Sequence, residues 1–232
     1  MREPETQGVL LVHGIVRSAE ASRCVVVLGM RIAGAGAIEA VPHGRLTALV
    51  TSLDACPELT SKTVREFQRV AEEIHARATM VPCRFEPLDG GREAVDRFLA
   101  CRAPRLETLL AEFEGCVELG VRVPEVVTST ARKELSGAGG ASYLMRRKSE
   151  YQDADGVPEW LSEAEARSLG PLRSLSRRVV VEGPRAHRPF AMVKYLVPRA
   201  DVDGFERMVS FVRAASGLEL VLMGPWPPYS FV

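Results

Sequence analysis

The second half of the chain limits the fold most tightly, because its hydrophobic periodicity changes in a definite order. Residues 117–123 (VELGVRV) alternate imperfectly and read as a strand. Residues 141–152 and 159–176 read as helix, broken by residues 153–158 and by Gly170-Pro171, with Ser162 and Glu165 matching a capping box. Residues 179–182 and 190–197 are two strands around a Gly-Pro-Arg-Ala-His-Arg-Pro turn. Val202, Phe205, Met208, Val209 and Val212 then share one helix face, capped by Asp201 or Asp203 and stopped at Gly217. Residues 218–223 form the last strand. The order β, helical region, β, β, α, β matches the split βαβ, or ferredoxin-like, unit. Right-handed crossovers lay both helical layers of such a unit on one face of an antiparallel sheet.

The first half has similar content. Residues 8–16 (GVLLVHGIV) read as a buried strand, and residues 37–41 and 46–53 flank a Pro42-His43-Gly44-Arg45 turn. Residues 24–28 favour strand by propensity, within surroundings rich in Ala and Gly. Val64, Phe67, Val70, Ala71 and Ile74 define a helix, begun by a Thr63–Glu66 capping box or by Thr60 or Ser61. Residues 79–85 (TMVPCRF) read as a short edge strand, and residues 92–114 as a helical region that Pro104 kinks or restarts. Residues 124–140 turn to Ser, Thr, Gly and Ala and read as a linker. The expected architecture is α+β: two linked ferredoxin-like domains with antiparallel sheets, residues 1–115 and 116–232. A chain of 232 residues has room for two such domains.

Charge and cysteine usage narrow the partners. Thirty basic and thirty acidic side chains give no general attraction to nucleic acid or to an anionic membrane. The basic cluster Arg146-Arg147-Lys148 could contact nucleic acid or an acidic partner, but a solvated helix face is the preferred reading because the chain has no net positive charge. The apolar run at residues 9–12 is far too short for a membrane span or a signal sequence. The five cysteines form no CxxC pair, and an odd number argues against a secreted disulfide framework, so a cytoplasmic protein is expected.

Reactive arrangements are missing from the sequence. His13, His43, His75 and His187 stand in no metal-binding spacing, and the chain has no GxSxG, GxxxxGK[ST] or GxGxxG motif. The glycine- and alanine-rich stretches at 33–37 and 137–140 lack the strand-to-helix context that cradles phosphate. The expectation is a protein that binds other proteins, with no catalytic residue, no metal, no cofactor and no small-molecule substrate. Two alternatives stand beside it. One is a ferredoxin-like module that binds a regulatory small molecule, which rests on fold analogy. The other is a hydrolase built on His75 or His13, which requires a histidine within reach of Cys, Ser or a carboxylate.

The C-terminal nonapeptide GPWPPYSFV, residues 224–232, differs from the rest. Pro225, Pro227 and Pro228 stiffen it and remove donors, so it is expected to be neither regular strand nor helix. Trp226, Tyr229 and Phe231 give it a large apolar surface, suited either to a clamp on its own domain or to an exposed lip for a partner. This tail resembles the C-terminal signature of the gas vesicle protein F/L family. Val81-Pro-Cys-Arg-Phe85 resembles that family's strand ending in Pro-x-Arg-Phe, with Glu86 where the family commonly has Gly. Ser136-Gly137 followed by Tyr143-Leu144, and Tyr195-Leu-Val197 followed by Val202 and Phe205, resemble further family segments. The resemblance implies an accessory or minor structural protein of the gas vesicle. Its partners would be the hydrophobic major shell protein and other gas vesicle accessory proteins. The candidate partner-binding residues are Arg84, Phe85, Tyr143, Trp226, Tyr229 and Phe231.

Overall fold

A computed structural model describes residues 8–24, 36–53, 60–124, 169–184 and 190–232. Contacts divide the chain into two compact units: Met1–Cys116 with Trp226–Val232, and Val117–Pro225. The expected division gave the whole tail to the C-terminal half. Its last seven residues pack in the first unit instead, with Tyr229 against that unit's core.

In the first unit, β1 (Val9–Arg17) pairs antiparallel with β3 (Leu46–Leu53), which pairs with β2 (Ile38–His43). Strands β4 (Met80–Pro82) and β5 (Pro87–Leu88) share the other side of β1. Pro42 and His43 belong to β2, and the hairpin turns at Gly44, whose φ of 56° glycine adopts without a Cβ penalty. Residues 18–24 form a 3-10 turn, so Cys24 ends a helical segment and does not begin a strand.

Helix α1 (Ser61–His75) lays Phe67, Val70, Ala71 and Ile74 on Leu11, Leu49 and Leu53. Its capping box sits one turn earlier than the Thr63–Glu66 pair. Thr63 N donates to Thr60 Oγ1 at 3.2 Å, and Thr60 N donates to Thr63 Oγ1 at 2.9 Å. Such a cap contributes about 1 kcal/mol. Ala48 and Val50, which alternate with Leu49 on β3, are equally buried. Helix α2 (Gly91–Phe113) touches the same strands, and therefore covers the opposite face of the sheet. It runs through Pro104 as one element. Pro104 and Ala100 are both exposed, so the helix bond that the proline removes is lost on the solvent side and leaves no buried carbonyl unmet.

Apart from Cys116 and Trp226, which belong to the first unit, the second unit comprises β6 (Cys116–Pro124), a single turn α3 (Gly170–Arg173), β7 (Arg178–Glu182), β8 (Phe190–Pro198), α4 (Val202–Ser216) and β9 (Val221–Trp226). Its sheet order is β7-β8-β6-β9. The first sheet runs β2-β3-β1-β4. Numbered within each unit, both orders are 2-3-1-4, and both units are ferredoxin-like α+β sheets. Val117, Leu119, Val121 and Val123 alternate into a core with Val193, Tyr195, Phe205, Val209 and Leu172. Tyr195 meets Phe205 edge-on at 5.0 Å. The other face carries charge. Lys194 Nζ lies 3.3 Å from buried Glu118 and 3.6 Å from Glu182, an acid–base–acid ladder across β6, β8 and β7.

Asp201 sits at the N-cap of α4 but makes no side-chain cap bond there. The last strand starts three residues later than residues 218–223 suggest. Gly217, at φ 68°, closes α4, and Arg213 Nη2 donates to Leu220 O at 2.6 Å, which holds 218–220 as a capping loop. Gly224, Pro225 and Trp226 consequently finish β9, contrary to the expectation that the tail holds no strand. β9 is an edge strand, the place in a sheet where a proline such as Pro225 is tolerated. Residues 229–231 form a 3-10 turn. Expectations for residues 25–35, the linker, most of the 141–176 helical region, the basic cluster, Tyr143 and His187 fall outside the described residues.

Candidate partner-binding surface

Regular pairing breaks at one place in β1. The register passes from Val12–Val50 to Gly14–Leu49, leaving His13 as the extra residue of a bulge. A Cβ at Gly14 would stand 2.2 Å from Met80 Cε and 3.2 Å from the Val81 carbonyl oxygen, so glycine there permits the close approach of β4. His13 is fully buried. Its Nε2 lies 2.8 Å from Thr51 Oγ1, and its ring stacks on Phe67 at 5.0 Å. Phe67 in turn meets Phe85 edge-on at 5.3 Å.

Phe85 and Tyr229 pack against the same core cluster as Phe67, so the structure brings together two of the residues singled out by resemblance. Both are half-buried. Arg84 is exposed beside Phe85, and Trp226 is half-buried at the end of β9. Phe231 is only 2% exposed and is a core residue of its unit. Pro227 and Pro228 are buried with it. Arg84, Phe85, Trp226 and Tyr229 thus present some surface, whereas Phe231 presents almost none.

The histidines show what chemistry is within reach. Burial pushes His13 down to about 3, so it stays neutral, and its Nδ1 has no partner among the described residues. His43 Nδ1 lies 2.6 Å from Asp96 Oδ1, a His–carboxylate pair of the kind a hydrolase needs. It lies on the open surface, where it ties β2 to α2 beside the Arg92–Glu39 pair. Among the described residues no serine or cysteine bonds to it. Burial raises the Cys83 thiol to about 12 and raises that of Cys24, so neither is a thiolate at neutral pH. No group of three or more metal-binding side chains occurs among the described residues. A cleft of about 540 Å³ in the first unit is lined by Arg17, Ser18, Arg45, Leu46, Glu107 and Leu110. Arg17 is already held by Glu114 at 3.2 Å, and Ser18 by the Gly44 carbonyl at 3.2 Å.

A feature the sequence did not reveal is the exposed apolar edge of β9. Val221 is 45% and Met223 38% exposed, and Gly224 and Pro225 are also exposed. The only available signal was a strand of six residues without a charge (VLMGPW), next to the tail.

These features define a class: a protein of two ferredoxin-like units with apolar cores, presenting half-buried aromatics and one apolar strand edge. Comparison with known proteins gives the family. The model of the gas vesicle synthesis protein GvpL/GvpF family matches residues 9–232, and the chain belongs to that family. It is 27% identical to gas vesicle protein F of a Streptomyces species, with 95% of this chain and 98% of that one aligned. It is 24% identical to gas vesicle protein L2 of Halobacterium salinarum, over 71% of this chain and 68% of the relative. The crystal structure of GvpF from Microcystis aeruginosa shares the fold, with a TM-score of 0.65 at 13% identity, covering 97% of this chain and 99% of that one. The chain thus has a gas vesicle role. No helix among the described residues is long and apolar enough to cross a membrane.

Proposed function

We propose that this chain is a gas vesicle assembly factor: it binds the major shell protein, covers that subunit's apolar surface until it joins the wall, and works without turnover in the cytoplasm. The observation that carries this reading is the family match across residues 9–232. The physical need is direct. A gas-filled shell requires an apolar inner wall, and a subunit carrying that surface aggregates in water before assembly. A dedicated binder removes the hazard. Arg84, Phe85, Trp226 and Tyr229 are the described candidates for contact with the shell protein or with other accessory proteins, and Tyr143 is a further one.

Co-expression with a gas vesicle major shell subunit, followed by affinity capture of this chain, tests the reading. The shell subunit is expected in the captured fraction at both low and high salt, because apolar contact is not screened as ion pairs are. A shell subunit left wholly in the unbound fraction would contradict the reading.

A further inference from the structure

We infer that the free edge of β9 is the docking strand for the client: an extended, uncharged, apolar segment of the shell subunit adds beside it as a further strand. This inference rests on the assembly reading above. Among the described residues β9 has no neighbour beyond β6. An open edge is a template for pairing, and proteins usually guard it with charge, proline or brevity. The other edges here are guarded. Strand β2 carries Glu39, Pro42 and His43, β7 carries Arg178 and Glu182, and β4 and β5 span three and two residues. Strand β9 spans six residues with no charge, and its one guard, Pro225, lies near its end. Val221 and Met223 project from the face opposite the core, which takes Leu220 and Leu222.

The occupant's chemistry follows from those side chains. A residue directly opposite on an added strand stands about 4.5–5.5 Å away, Cβ to Cβ. A charged side chain there would lose hydration against Val221 or Met223 and find no counter-ion on β9. An apolar one would bury surface on both sides. A second copy of this chain fits less well. Only residues 221–224 precede Pro225, and two such short strands cover far less than the ~1,200 Å² of a stable interface. A short, reversible contact suits a client that must be handed on.

The test compares the intact protein with Val221→Lys/Met223→Lys in the capture experiment. Phe211→Ser, which alters a 66% exposed apolar residue on α4, serves as control. The double variant is expected to retain the melting temperature and circular dichroism of the parent and to capture about tenfold less shell subunit. The Phe211 variant is expected to capture it normally. A photoreactive benzoylphenylalanine at position 223 covers the case in which the double variant does not fold, and it should cross-link to the shell subunit. Undiminished capture by a folded double variant, or cross-links only to a second copy of this chain, overturns the inference while leaving the assembly reading in place. If the intact chain captures no shell subunit, the assembly reading itself fails.

Discussion

Replacing Phe231 with alanine should lower the melting temperature of the first unit by about 8–15 °C, corresponding to roughly 3–5 kcal/mol for truncating a buried phenylalanine. Phe231 is 2% exposed and belongs, with Pro227, Pro228 and Tyr229, to the unit built from residues 1–116. Deleting Trp226–Val232 removes all of these groups together. Since a whole domain has only about 5–15 kcal/mol of stability, the first unit should then lose its fixed tertiary packing. Calorimetry and near-ultraviolet circular dichroism measure both effects. Tyr229→Phe, which keeps the ring against the core, should change little by comparison. A Phe231→Ala protein melting within a degree or two of the parent would show that the tail is not part of that core. For the same reason, loss of partner binding on tail deletion is ambiguous, and point changes on exposed residues are the cleaner probe.

The second large effect concerns pH. His13 lies fully buried on the β1 bulge, with Nε2 on Thr51 Oγ1 and Nδ1 unpartnered among the described residues. The tautomer with the proton on Nε2 donates to Thr51 and leaves only an acceptor unmet, which costs less than a buried orphan N–H. Protonation would bury a charge and add that orphan donor, so burial holds the folded pKa near 3 against an ordinary 6.5. Because the folded pKa is depressed, His13's contribution is complete above pH 6.5. It declines below that, as the unfolded chain takes up a proton the folded one refuses, until about pH 3. The slope is about 1.4 kcal/mol per pH unit, or on the order of 2 kcal/mol lost between pH 6.5 and pH 5. Urea unfolding at both pH values, for the parent and for His13→Gln, isolates this term because other titrating groups cancel in the difference. Equal pH slopes in the two proteins would remove His13 from the account.

Much of the fold was legible in the sequence wherever period and punctuation agreed. The α4 face of Phe205, Val209 and Val212 and its stop at Gly217 follow directly from spacing, as does the α1 face. What failed has identifiable causes. The Thr63–Glu66 box failed because the cap lies at Thr60, one of the other starts the sequence offered, where Thr63 at the third helical position returns its hydroxyl to the cap residue, a role a search for glutamate overlooks. Strand β9 slid toward the tail because an arginine seven residues away claims the Leu220 carbonyl. The His13 bulge leaves no trace in an apolar run, since Gly14 matters only through its distance from Met80. For the candidate surface, the sequence marked the tail aromatics but could not say which core they join. Hydrophobicity shows that Phe231 wants burial, and only the folded chain shows that it is buried with residues 1–116.

The central claim is that these two sheets keep another protein's apolar surface out of water. Light scattering tests it most directly: the shell subunit is diluted out of denaturant with or without an equimolar amount of this chain. The expected result is strong suppression of scattering, dependent on chain concentration and matched by neither an unrelated protein nor the Val221→Lys/Met223→Lys variant. Scattering that rises at the same rate and to the same level with the intact chain present would contradict the claim.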